Sequence, residues 1–144
     1  MTKMIMAFTS AALIGLGIAA LPAMAENVAF KTVTLKASDE VPPNASKGTG
    51  SATVKYDTAS KKLSWKITYS DLTGPALMAH FHGPADTGKN APVAVQIPVT
   101  PSPIEGSATL TDAQAADLMA GKYYINIHTT DNKAGEIRGQ VQKK

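Results

Sequence analysis

From Leu63 to Ser70 the chain alternates without a break. Leu63, Trp65, Ile67 and Tyr69 are apolar or aromatic, and Ser64, Lys66, Thr68 and Ser70 are polar. A period of two puts the first set on one face of a β-strand and the second on the other. Shorter runs of the same kind cover 29–37, 51–57, 76–82, 93–99, 104–110, 122–129 and 136–142. With 63–72 they predict eight strands, separated by breaks rich in Gly, Pro, Asn and Asp. In 29–37, Phe30, Thr32 and Thr34 oppose Val33 and Leu35. In 76–82, Leu77, Ala79 and Phe81 are expected inward, which turns Met78, His80 and His82 outward together. In 122–129, Ile125 and Ile127 claim the core face, so Tyr124, Asn126 and His128 share the opposite one. Pro98 cannot donate to a ladder, so 93–99 is expected at a sheet edge or ending there.

A single segment breaks this rhythm. In "TDAQAADLMAG" (111–121), Thr111 and Gln114 have the spacing of a capping box. Ala115, Leu118 and Met119 form one apolar face, and Gly121 is a natural stop. One short helix near 111–120 among many short strands predicts an all-β fold, an antiparallel Greek-key β-sandwich of immunoglobulin-like or superoxide-dismutase-like kind. Trp65, the only tryptophan, is expected to be the largest side chain of its core.

Composition changes the picture at the N-terminus. Residues 1–25 carry one charge, Lys3, then an apolar run from about Ala11 to Leu21, then Ala23-Met24-Ala25. This is the pattern of a secretory signal peptide cleaved after Ala25. The apolar run is short for a spanning helix, so no membrane span is expected in the mature form. What remains is 144 − 25 = 119 residues, read as one domain over 26–144, periplasmic or secreted. There is no cysteine, so disulfides, zinc–thiolate clusters and blue-copper centres are excluded. Without Lys3 the formal charge is 13 − 11 = +2, and no basic stripe interleaved with aromatics points to nucleic acid.

The three histidines carry the candidate chemistry. His80 and His82 stand at i and i+2 on one strand, so both imidazoles leave the same face. Such a pair is half of a metal site, since imidazole nitrogens bind at about 2.0–2.1 Å and a stable site wants a third ligand. His128 is the only histidine left to supply it, and it meets the pair if strands 76–82 and 122–129 are neighbours. Three neutral imidazoles suit copper(II) or zinc. Glu40, entering the "VPPN" turn, is a candidate additional ligand, and Asp86, Asp131 and Glu136 are the other carboxylates considered for the shell. Glu136 and Arg138 share a strand face and are expected to form an ion pair. Gly139 is expected where another backbone comes close. No catalytic residue is assigned, because no Ser/His/Asp triad or phosphate-binding glycine loop is legible.

Several of these stretches resemble one known family. Glu40-Val41-Pro42-Pro43, the H-x-H-G-P of His80 to Pro84, the G-x-x-Y-x-N-x-H-T of Gly121 to Thr129 and the G-E-I-R-G-Q of Gly135 to Gln140 are similar to the CHRD domain, first named from chordin. The resemblance covers roughly residues 28–142. One departure is Lys133-Ala134, where the family usually has a proline before its G-E-I-R-G. The resemblance implies an antiparallel sandwich and, for a bacterial single-domain member, export. A looser likeness links H-x-H on a strand of such a sandwich to copper-zinc superoxide dismutase. This chain lacks that family's cysteine pair, and three histidines cannot furnish both of its metal sites. The expected function is therefore exported copper or zinc binding through His80, His82 and His128, for metal storage, delivery or tolerance. The alternatives are an extracellular or envelope protein-interaction module whose histidines serve loops, and a copper-dependent redox enzyme.

Overall fold

In the computed structural model, which describes Met24 and residues 26–144, alternation becomes pairing. The segment with the strictest pattern forms β4 (Lys62–Ser70), and it pairs along nine residues with β3 (Thr49–Asp57). The other strands are β1 (Asn27–Ala29), β2 (Val33–Lys36), β5 (Met78–His82), β6 (Val93–Ile97), β7 (Ile104–Thr109), β8 (Tyr124–His128) and β9 (Ile137–Gln140). All pairings are antiparallel. The hydrogen-bonded order is β6-β5-β8-β9-β2-β3-β4-β7, with β1 also on β3. The non-consecutive neighbours β5–β8, β9–β2 and β4–β7 are the crossovers a Greek-key reading requires. The expected signal peptide lies outside the described residues, Met24 apart. Among those described, no helix is long and apolar enough to cross a membrane.

The sheet curls until it faces itself and nearly forms a barrel. Trp65 on β4 meets Phe81 on β5 edge-to-face, ring centroids 5.3 Å apart, although those strands lie far apart in the pairing order. That contact sits in the core with Leu35, Ile67, Ile104 and Ile125, all fully buried. Gly106 lies against the Trp65 indole, leaving no room for a Cβ there. Helix α1 (Asp112–Met119) closes the side, burying Leu118, with Ala115 and Met119 packed against the core. Its capping box forms as expected, and the Gln114 amide also donates to Ala94 O on the exposed edge of β6 at 2.9 Å. Gly121 takes a positive φ of 74° just beyond the helix. β6 lies at the end of the pairing order, as Pro98 implied.

Three expectations need correction. The single strand over 29–37 is two strands, β1 and β2, pairing in succession along β3, so nine strands replace eight. Phe30 therefore does not belong to one alternating set with Thr32 and Thr34; it is buried in the core between the two. Leu77 precedes β5 and is exposed rather than inward, because the ladder starts at Met78.

Candidate metal centre

β5 and β8 are neighbours, with Met78 opposite His128, His80 opposite Asn126 and His82 opposite Tyr124. Their inner faces carry Ala79, Phe81, Ile125 and Ile127 into the apolar core. Their outer faces carry His80, His82 and His128, as the period of two demands. Apart from Met78 at the start of β5, that outer face is largely covered. Every residue of β8 is buried, and His80 and His128 are 6% and 7% exposed. The covering layer comes from the loops around residues 83–92 and 129–136.

The three imidazoles converge. Each offers one ring nitrogen to a group whose members lie within 4.8 Å of one another. His80 Nδ1 and His128 Nε2 are 3.1 Å apart. The far nitrogens are tied to backbone carbonyls: His82 Nδ1 donates to Ala91 O and His128 Nδ1 to Lys133 O, both at 2.9 Å. Those bonds fix the tautomers: His128 Nε2 accepts from His80 Nδ1, and His82 Nε2 presents a lone pair. His82 Nε2 is buried and has no hydrogen-bond partner. Two nitrogens on one tetrahedral or trigonal ion sit about 3.3–3.6 Å apart, the spacing on which this set, spread over up to 4.8 Å, would have to close to hold an ion. Burial holds the His80 and His82 pKa values below the usual imidazole value; at His80 the neighbouring histidines add to it. Both rings are thus kept neutral, the state a metal needs.

The surroundings position these rings. Tyr124 stacks on His82, centroids 4.9 Å apart and planes 4° from parallel. The Arg138 guanidinium lies over the same tyrosine, 3.4 Å from its ring centre. Arg138 also donates to Lys89 O at 2.6 Å and Asn90 Oδ1 at 3.0 Å. It thereby pins the loop whose Ala91 carbonyl orients His82. The expected Glu136–Arg138 ion pair is absent among the described residues. Glu136, fully buried, instead accepts from Ser46 Oγ, Thr73 N, Thr73 Oγ1 and Thr129 Oγ1. Burial alone would raise its pKa, but these four donors outweigh it and leave the value at about 2.

Glu40 is not drawn into the histidine group. It is 5% exposed and lies beside Arg138 and Asn126, in space that Gly135 leaves free by lacking a Cβ. Desolvation raises its pKa to about 7 against the opposing pull of Arg138. Of the other carboxylates weighed for the shell, Asp86 pairs with Lys122 and Asp131 is exposed. The carbonyls of Ala91 and Lys133, which orient two of the three rings, left no trace in the sequence, because every residue carries one. Tyr124 and Asn126 were readable as face-mates of His128, though their roles as stacking partner and neighbour of Glu40 were not.

Neither the curated proteins nor the solved structures that were compared gave a match. Among protein families, residues 31–141 match the CHRD domain, nearly the whole described chain and all four stretches that carried the resemblance. The chain belongs to the CHRD domain family.

Proposed function

We propose that this CHRD protein is an exported transition-metal binder that holds one copper or zinc ion through His80, His82 and His128, for storage, delivery or tolerance. The observation that carries this reading is the convergence of three buried ring nitrogens within 4.8 Å, two of them set by carbonyl hydrogen bonds to their far sides. A polar face kept merely for packing would have its nitrogens paired, whereas His82 Nε2 is buried without a partner. Export rests on the signal-peptide pattern of residues 1–25. Glu40 serves the surroundings of the site in this reading rather than the ion itself.

The test is metal content. Dialysed protein incubated with copper or zinc should retain close to one ion per chain, and His80→Ala or His128→Ala should retain none. No retention by the unaltered protein at micromolar metal would sink the proposal. Unchanged stability in chelator, with a protein partner recovered from the envelope, would favour the interaction-module alternative.

A further inference from the structure

The donor set is short of charge and, on one side, short of a ligand. All three donors are neutral imidazoles, and no carboxylate joins them among the described residues. His80 and His128 are buried, and Arg138 adds positive potential at His82. A bound divalent ion would keep its full +2 there, whereas a monovalent ion leaves only +1. Burying uncompensated charge is costly and rises steeply with charge, so this environment favours the lower-valent ion.

Met78 supplies the second observation. It lies on the same face of β5 as His80, two residues away, and directly opposite His128. Residues 78 to 82 thus read Met-x-His-x-His with all three functional side chains on one face. Met78 is 47% exposed, one of few large apolar side chains left in the open among the described residues. An unbranched thioether with three rotatable bonds can swing over the neighbouring rings without disturbing the core. Thioether and imidazole donors together suit copper(I), and thioether adds little for zinc.

The geometry points to copper(I) as the preferred ion, with the Met78 thioether as fourth ligand beside His80, His82 and His128. This rests on the metal-binding reading above and names its ion. Copper(I) and zinc are each titrated anaerobically against competing chelators, on unaltered protein, Met78→Leu and His128→Ala. Leucine at an exposed position preserves volume and folding. Met78→Leu should weaken copper(I) binding by roughly tenfold or more, which is about 1.4 kcal/mol, and shift zinc binding by less than about twofold. X-ray absorption of the copper(I) form should show a sulfur neighbour that Met78→Leu lacks. Equal copper(I) binding by Met78→Leu and unaltered protein, with binding lost in His128→Ala, overturns the role of Met78 and leaves the three-histidine site standing. Tighter binding of zinc than of copper(I) overturns the preference. No binding of either ion by unaltered protein removes the underlying reading itself.

Discussion

The two faces of β8 are both buried, and with the neighbouring positions of β5 and β9 they are buried by different physics. The inner face carries Ala79, Phe81, Ile125, Ile127 and Ile137, and its stability comes from area removed from water and from close packing. The outer face carries His80, Asn126, His128 and Arg138, all under 10% exposed. Every polar atom there needs its own partner, since an unpaired one costs about 1–3 kcal/mol. The inner face is non-directional and tolerates a change of shape at constant volume. The outer face is directional. Among the described residues, four of the six buried side-chain polar atoms without partners belong to it or to the loop above it: Glu40 Oε1, His82 Nε2, Asn126 Oδ1 and Gln140 Oε1. One layer is held by packing, and the other depends on which polar atoms find partners.

The sharpest way to break this contrast is to cut each layer once. Phe81→Ala removes a fully buried ring and its contact with Trp65, and should cost about 3–5 kcal/mol in urea unfolding. Phe81→Leu should cost clearly less if the inner face responds to volume alone. On the outer side, Glu136→Gln keeps size and shape but turns one acceptor oxygen into a donor facing hydroxyls and the Thr73 N–H. A loss of about 2–4 kcal/mol is expected from this near-isosteric change. If it proves neutral, the polar layer is not directional.

A bound ion should act only through the outer face. At a hundredfold excess over the dissociation constant, copper should raise the unfolding free energy by about 2.7 kcal/mol. His80→Ala should abolish that increment. Phe81→Leu should leave it intact, because the ligand-bearing face is not the one altered.

The last effect is a pH dependence whose opposing signs partly cancel. His80 and His82 have lowered folded pKa values. The folded state therefore binds fewer protons, and their contribution is complete above about pH 6.5 and lost as pH falls. Glu40 is raised to about 7, so the folded state binds more protons than the unfolded between about 4.5 and 7. Its contribution is full below about 4.5 and is lost as pH rises to 7, on the order of 2–3 kcal/mol. Glu40→Gln should remove that decline, making the stability difference between variant and unaltered protein grow from pH 5 to pH 8. A difference independent of pH would mean that Glu40 ionises normally and that the outer layer is wetter than its burial implies.

Much of the inner layer was readable in the chain. The alternation in 63–72 located β4, and Ile125 and Ile127 were assigned to the core by the same period. The capping box located the helix start because Thr111 and Gln114 act over three residues. Gly139 was expected where a backbone approaches, and a Cβ there would strike the Thr34 carbonyl oxygen. The break between β1 and β2 was not readable, since Phe30 fits an alternating strand as well as it fits a core position between two. The Glu136–Arg138 pair failed for a related reason. Sharing a strand face makes two side chains neighbours, but which partner each takes depends on the loops folded over them. Ser46 and Thr73 reach Glu136, while Lys89 and Asn90 reach Arg138.

By itself, the sequence determined which face each histidine takes, because side-chain direction on a strand follows from a local period of two. It also determined the family and the antiparallel all-β class, which rest on motifs and breaks within a few residues of each other. Only the tertiary structure decided that β5 and β8 are partners, so that His128 stands beside His80 across 48 residues of chain. It alone decided that His80 and His128 on the outer face are buried, and that the carbonyls of Ala91 and Lys133 aim two of the three rings. Strand pairing and loop cover depend on contacts distant in sequence, and no local pattern of hydrophobic and polar residues encodes them.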